Sequence, residues 1–154
     1  VIGRAGRAAK HGLAVIQTSN PDNEIIRLAC AQDYEKFYER EIRFRQLLTF
    51  PPFCDIALFG IVSEDENELM LASKRFSDDF RARALKDFPD VPLVVFGPFE
   101  APVYRVDGKY RMRMVVKCRL NAKCRAFFAS LLGEFGRASG NKTTLTLDLN
   151  PTNL

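Results

Sequence analysis

At residues 110–119 the chain reads YRMRMVVKCR, and this stretch decides the fold because apolar and basic side chains alternate along it. Alternation with a period of two predicts a strand that is buried on one face and basic on the other. The predicted inward set is Tyr110, Met112, Met114, Val116 and Cys118, and the predicted outward set is Arg111, Arg113, Val115, Lys117 and Arg119.

The neighbouring segments complete a recognisable order of elements. Apolar residues at helical spacing predict two amphipathic helices, and short apolar runs predict three more strands. The helices are predicted at Glu64–Phe88 and Ala122–Ala138, and the strands at Cys54–Ser63, Pro92–Gly97 and Thr143–Leu149. The resulting order, β-α-β-β-α-β, predicts an α+β domain of split βαβ, or ferredoxin-like, type. Its antiparallel sheet should carry both helices on one face and the basic row on the other, partly open face.

Residues 1–31 predict less structure. An apolar run at Leu13–Ile16 indicates a strand, and a short helix should follow to about Ala31. We expect Asn20 to cap that helix and Pro21 to occupy its first position, where a missing N–H costs nothing. An isolated strand cannot satisfy its own backbone groups, so we expect residues 1–18 either to be poorly ordered or to pair with another chain.

Asp33 should cap a longer helix that ends before Pro51-Pro52. The aromatic residues Tyr34, Phe37 and Tyr38 lie on one side of it. They suit either base stacking or packing, and their helical spacing favours packing within a helix that links two parts of a larger protein.

Composition limits the class of protein. Of 154 residues, 47% are hydrophobic and 13 are Phe, so the chain can form a packed core, and no apolar run is long enough to cross a membrane. The four cysteines (Cys30, Cys54, Cys118 and Cys124) contain no C-x-x-C pair, and His11 is the only histidine. We therefore expect no metal site. We interpret the cysteines as reduced core thiols of a cytoplasmic protein, although their number alone leaves disulfides open.

The net charge of +4 is unevenly distributed. Residues 100–142 contain ten Lys or Arg and only three acids, a surplus of seven positive charges. Such a region indicates a polyanionic or acidic-peptide partner, and the alternative is an ordinary solvated surface.

The sequence GRAGR at residues 3–7 is the sharpest local motif. Arg4 and Arg7 are separated by small residues, so both side chains can approach one anion, and a guanidinium group matches phosphate oxygens. Gly3 and Gly6 allow the backbone to come close. An Arg- and Gly-rich loop that binds RNA would have a similar sequence.

Arg4 and Arg7 resemble the end of helicase motif VI, Q-x-x-G-R-x-G-R, whose Gln would precede Val1. The chain as a whole resembles the C-terminal region of the PriA (primosomal protein N′) family of replication-restart helicases in superfamily 2. The resemblance covers nearly all 154 residues, through HGLAVIQT (11–18), DYEKFY (33–38), EIR (41–43), FPPF (50–53), GPFEAP (97–102), GKYR (108–111) and LDLNP (147–151).

This resemblance implies a piece of an ATP-dependent 3′→5′ DNA helicase that restarts stalled replication forks and promotes primosome assembly. Residues 1–20 would end the second RecA-like lobe, residues 21–52 would be linking helices, and residues 53–154 would form a C-terminal domain resembling a ribosomal protein. Arg7 would be the arginine finger, and Gly3, Arg4, Gly6 and Arg7 would contact the ATP phosphates. ATP and Mg²⁺ would belong to the full-length enzyme and zinc to a region upstream. The piece itself would hold no cofactor and would be inactive alone.

The resemblance also implies partners: branched or forked DNA, the acidic C-terminal tail of single-stranded DNA-binding protein, other primosome proteins and the rest of the helicase, but no membrane. The candidate binding residues are Arg111, Arg113, Lys117, Arg119, Lys123 and Arg125. Asn121 stands where some family members carry a tail-contacting Arg, so Arg125 is expected to supply the contact.

Two other functions remain open from the residues themselves. One is a stand-alone RNA- or ribosome-associated module, which the basic face and the order of elements favour. The other is a small enzyme, for which the sequence offers no convergent nucleophile, base or metal cluster. A gene that encodes Gln before Val1, with a P-loop and paired cysteines upstream, would exclude the stand-alone module.

Overall fold

The structure is a computed structural model that describes residues 14–89, 93–138 and 142–153. Its helices are α1 (Glu24–Ala31), α2 (Tyr34–Leu47), α3 (Glu66–Asp87) and α4 (Ala122–Ala138), and its strands are β1 (Asp55–Ser63), β2 (Val94–Val106), β3 (Lys109–Cys118) and β4 (Thr143–Leu149). The chain divides into two compact units, Val1–Phe44 and Arg45–Leu154. From β1 onward the order is β-α-β-β-α-β, which confirms the predicted α+β, split βαβ fold.

The four strands form one sheet in the order β2-β3-β1-β4, and every neighbouring pair is antiparallel. After β1 the chain passes through α3 to β2, which is separated from β1 by one strand position in the sheet. Strand β3 fills the position between them, and a tight turn at Asp107-Gly108 joins it to β2. The two central strands, β1 and β3, supply the middle of the core.

Phe59 in β1 lies at the centre of that core and is completely buried. Its ring centroid lies 5.3 Å from those of Phe76 and Phe128 and 5.7 Å from that of Phe80. Phe76 and Phe80 belong to α3, and Phe128 belongs to α4. The same cluster includes the inward residues of β3, so both helices cover one face of the sheet, as predicted.

Side chains cap the two helices of this unit. The carboxylate of Asp65 accepts a hydrogen bond from the Glu68 N–H at 2.9 Å at the start of α3. The Asn121 amide oxygen accepts from the Cys124 N–H at 2.8 Å at the start of α4. A cap satisfies backbone donors that have no partner within a helix, and this fixes where each helix begins.

The predicted extent of β2 was wrong. The sequence indicated a strand ending at Gly97, but β2 continues to Val106. Proline and glycine interrupt strands that are paired on both sides, whereas β2 is an edge strand and pairs only with β3. Register shifts between Phe96 and Phe99 and between Glu100 and Arg105 accommodate the extra residues.

Two predictions in the first unit were also wrong. Residues 14–16 form no strand, and Val15 is 84% exposed, because no strand in the described part of the chain pairs with them. Helix α1 begins at Glu24 with Asn23 as its cap, whose side chain accepts from the Ile25 N–H at 2.9 Å. The carbonyl of Asn20 instead accepts from the Asn23 N–H, so Pro21 lies in a turn, which its fixed φ also suits.

The predicted cap of α2 is confirmed, since the Asp33 carboxylate accepts from the Lys36 N–H at 3.1 Å. The aromatic residues lie on one side, with the Tyr34 and Tyr38 rings stacked at 6.3 Å. Tyr34 is nevertheless 72% exposed, and neither α1 nor α2 contains a buried residue. The described residues therefore bury none of this stripe, and its packing between two parts of a larger protein stays a prediction.

Two of the four cysteines agree with the interpretation as core thiols. Cys118 and Cys124 are buried, whereas Cys54 is half-buried and Cys30 is exposed, and all four are free. No described helix combines the length and apolarity needed to cross a membrane. In the same described residues, no group of three His, Cys, Asp or Glu side chains is placed to hold a metal ion.

Candidate nucleic-acid interface

The face of the sheet opposite the helices carries the basic column of β3. Arg111 is exposed, and Arg113 and Lys117 are half-buried, while their neighbours Met112 and Met114 point into the core. The alternation predicted from the sequence is thus confirmed, but Val115 is buried and divides the column.

Lys117 at one end of this face is held by the segment that precedes β1. Its Nζ donates a hydrogen bond to the Leu48 carbonyl at 2.8 Å. The same atom lies 3.9 Å from the centroid of the Phe50 ring and 5.7 Å from that of Phe96. These contacts give Lys117 a structural role, because they hold residues 48–50 against the sheet and occupy one of its N–H donors.

Arg113 has a different environment. Its guanidinium lies over the Phe99 ring, 5.0 Å from the centroid, and the two residues are register partners on β3 and β2. Its Nε is enclosed without a hydrogen-bond partner, and no other described residue forms a hydrogen bond or an ion pair with the side chain. Packing on an aromatic ring therefore positions this guanidinium, and no internal acceptor occupies its N–H groups.

A residue without a side chain lies beside Arg113. Gly60 of β1 pairs with Arg113 on one side and with Thr146 of β4 on the other. A Cβ built at Gly60 would lie 2.7 Å from the Thr146 Oγ1, which donates to the Gly60 carbonyl at 3.2 Å. The Thr146 hydroxyl therefore occupies the space that a side chain at residue 60 would need.

Two phenylalanines of β2 border the same face, and sequence reasoning missed both. Phe96 is opposite Val115, and Phe99 is opposite Arg113, so three residues of β2 span two residues of β3. Residues three apart point to opposite faces of a regular strand, but the bulge between them restores both rings to the outer face. The Gly97-Pro98 pair within a strand was the signal that could have indicated a bulge. We call Phe96, Phe99, Arg111, Arg113, Lys117 and Gly60 the sheet face.

The other three predicted basic residues lie where β3 ends and α4 begins, and we call Arg119, Lys123 and Arg125 the junction cluster. Arg119 and Arg125 are exposed. Lys123 donates to the Asp87 carbonyl, and its Nζ lies 4.7 Å from the centroid of the Phe88 ring. The six candidate residues therefore divide into two surfaces of three.

Asp55 lies close to the junction cluster. Its carboxylate accepts from the Leu120 N–H at 2.8 Å and from the Asn150 Nδ2 at 3.0 Å. These two bonds, followed by the positive charges of Arg125 and Arg119, lower the pKa of Asp55 from its usual value. A carboxylate that remains ionised offsets part of the positive charge of the cluster.

The nucleotide motif cannot be placed, because Gly3, Arg4, Gly6 and Arg7 lie outside the described residues. A groove of about 580 Å³ in the second unit lies between α3 and α4 and is lined by Phe76, Leu131, Phe135 and a mixture of acidic and basic side chains. It is separate from both basic surfaces.

Comparison with known proteins gives consistent results. Residues 46–152 match the sequence profile described as the primosomal protein N C-terminal domain. The chain is 28% identical over 152 residues to the replication restart protein PriA of Bacillus subtilis strain 168, covering 98% of this chain and 18% of that protein. It is 33% identical over 158 residues to the replication restart protein PriA of Treponema pallidum strain Nichols, covering 100% of this chain and 22% of that protein. A designed protein with a ferredoxin fold aligns with a TM-score of 0.46 at 16% identity, covering 65% of this chain and 88% of that one. The chain spans about a fifth of the length of the two PriA proteins.

Proposed function

The chain belongs to the family of primosomal protein N C-terminal domains, and we propose that it is the C-terminal part of an ATP-dependent 3′→5′ DNA helicase that restarts stalled replication forks and promotes primosome assembly. Its relatives over nearly its whole length are named replication restart proteins, which supports the proposal. The whole protein would act in the cytoplasm, and its partners would include the other primosome proteins.

Within that protein, we propose that the sheet face docks forked DNA. The observation that carries this assignment is the placement of Arg111 and Arg113 on a sheet surface that neither helix covers. Phosphates bind such side chains by charge and by paired hydrogen bonds, and no described residue supplies an acceptor to the Arg113 guanidinium.

We assign the acidic C-terminal tail of single-stranded DNA-binding protein to the junction cluster. Arg119 and Arg125 are exposed beside the first turn of α4, and a helix N-terminus adds a partial positive charge. Carboxylates pair well with guanidinium groups in this setting. Asn121 carries no charge, and its side chain is engaged in capping α4.

Catalysis would depend on parts of the protein outside this domain. We propose that Gly3, Arg4, Gly6 and Arg7 contact the ATP phosphates in the whole enzyme, with Arg7 as the arginine finger. ATP and Mg²⁺ would bind with residues of the helicase lobes, and zinc would bind upstream. Replacing Arg7 by Ala in the full-length protein should abolish DNA-stimulated ATP hydrolysis while the affinity for forked DNA is retained.

The docking role can be tested with the 154-residue chain and a fluorescein-labelled fork. Arg111→Glu should weaken binding by about tenfold. It should also reduce the slope of the logarithm of the binding constant against the logarithm of salt concentration by about 1, the value expected for one lost phosphate contact. Arg75→Glu, an exposed residue of α3 in the other layer, provides a control with the same change in charge. Equal affinities for the two variants would refute the assignment of the sheet face.

The junction cluster needs its own measurement. Arg125→Glu should weaken binding of an acidic tail peptide severalfold, because it replaces an attraction with a repulsion, while fork affinity should change by less than about twofold. Loss of fork binding without loss of peptide binding would contradict the division of the two surfaces.

A further inference from the structure

The sheet face combines the exposed ring of Phe96 and the half-buried ring of Phe99 with basic side chains, and the docking role alone does not require the rings. Phosphate contacts need positive charge, whereas aromatic side chains on a flat sheet suit the faces of unpaired bases. Phe96 is 44% exposed, although phenylalanine is normally buried. An exposed ring on this surface therefore points to a partner that presents a flat apolar face.

The bulge in β2 aligns the two rings with the basic column. Phe96 and Phe99 are in register with Val115 and Arg113, which are two residues apart on β3. The pair Phe96–Val115 therefore presents an uncovered ring on the sheet face, and the next pair, Phe99–Arg113, presents a ring that a guanidinium covers. Without the bulge, one of the two phenylalanines would point to the helix side of the sheet.

Arg113 supplies the adjoining part of a nucleotide site. A guanidinium that already lies on a ring has a second planar side, and its N–H groups have no acceptor among the described residues. The neighbouring Gly60 has no side chain, and the Thr146 hydroxyl occupies the space beside its backbone. A base stacked near Phe96 thus has a phosphate-binding group beside it.

We propose that the sheet face binds single-stranded DNA, with an unpaired base stacked on Phe96 and a neighbouring phosphate on Arg113. This inference rests on the proposed docking of DNA and specifies which part of a fork the surface takes. Bases in a duplex are stacked on each other and expose only their edges, so a flat sheet cannot stack on them. The surface therefore selects the unpaired strand.

Phe96→Trp gives a direct probe of stacking, because the chain contains no tryptophan. With a mixed-sequence 12-nucleotide DNA, the indole emission of Phe96→Trp should be quenched as the strand binds. The matching 12-base-pair duplex should leave it unchanged. Leu85→Trp, at an exposed residue of α3 in the helix layer of the same unit, is the control and should respond to neither DNA.

Affinity provides the second readout. Phe96→Leu keeps an apolar side chain and should weaken binding of the 12-nucleotide strand by about tenfold, with less than about twofold change for the duplex. Phe96→Tyr keeps a ring and should retain affinity, which separates loss of stacking from loss of folding. Leu85→Ala should be neutral.

The outcomes separate this inference from the proposed docking. Stacking would be overturned if Phe96→Leu lost the same affinity for the strand and for the duplex, or if the emission of Phe96→Trp were not quenched by the strand. In either case the effect of Arg111→Glu on fork binding would still support the proposed docking. Absence of any effect of Arg111→Glu would overturn both. An RNA 12-mer of the same sequence that bound more tightly than the DNA would overturn the assignment to DNA.

Discussion

Replacing Asp55 by alanine should destabilise the domain by about 2 kcal/mol at neutral pH. The two hydrogen bonds that its carboxylate accepts, from the Leu120 N–H and the Asn150 Nδ2, join β1 to the β3–α4 connection and to the end of β4. Hydrogen bonds to a charged group contribute about 1.5–3 kcal/mol, and partial exposure reduces that value, so about 2 kcal/mol is expected for the pair. Domains of this size are stable by only about 5–15 kcal/mol.

The effect should depend on pH with a defined sign. Hydrogen bonds from Leu120 and Asn150, with the charges of Arg125 and Arg119, lower the pKa of Asp55 in the folded state. A carboxyl group with a lowered pKa stabilises the fold fully above its unfolded pKa, and this contribution is lost as the pH falls through the folded pKa. The difference in the free energy of unfolding between wild type and Asp55→Ala should therefore be constant between about pH 7 and 5 and shrink below about pH 4.

Urea unfolding followed by circular dichroism at several pH values measures this difference. At pH 7 the midpoint of Asp55→Ala should fall by about 1 M urea. Asp148→Ala is the control, because Asp148 lies on β4 with an exposed carboxylate that forms no hydrogen bond with any described residue. Two results would refute the reasoning. One is a loss of stability in Asp55→Ala that persisted unchanged to about pH 2.5, and the other is a loss at pH 7 no larger than that of Asp148→Ala.

Three other predictions concern the core, a helix cap and the thiols. Phe59→Ala should reduce the free energy of unfolding by about 3–5 kcal/mol in guanidinium titrations, because a fully buried ring leaves a cavity; a loss under about 1 kcal/mol would contradict this. Asn121→Ala should cost about 1 kcal/mol in the same titrations and Asn121→Ser much less, since serine also caps. A thiol reagent should label exposed Cys30 rapidly and Cys118 only after unfolding, as peptide mass spectrometry will report, because hydrogen bonding with Cys124 and burial raise the pKa of Cys118. Early labelling of Cys118 would count against the buried pair.

Local patterns predicted most elements of the second unit. The helix at Ala122–Ala138 and the strand at Thr143–Leu149 have the bounds that periodicity indicated, and the alternation at residues 110–118 correctly assigned the two faces of β3. These predictions succeed because a period of 3.6 or 2 is a property of consecutive residues. Helix α1 shows the limit, since Pro21 suits a turn as well as a first helical position.

The functional surface could be predicted only in part. Arg111 and Arg113 were candidates from the alternation alone, whereas Phe96 and Phe99 were missed because Gly97-Pro98 indicated the end of a strand. Their shared face depends on a bulge, which is defined by the pairing of two strands rather than by either sequence. The grouping of Arg119, Lys123 and Arg125 likewise follows from the point at which β3 ends.

The sequence by itself determined the order of strands and helices, the inward and outward faces of β3, and membership of the family. The tertiary structure alone decided that β2 is an edge strand able to contain two prolines and that Lys117 is engaged by Leu48 and Phe50. It also decided that the Arg113 guanidinium lies on Phe99 with no acceptor from the residues that the structure describes. The physical reason is the range of the interactions. Periodicity and caps act between residues a few positions apart, whereas register, edge position and ring contacts join residues that meet only after the chain has folded.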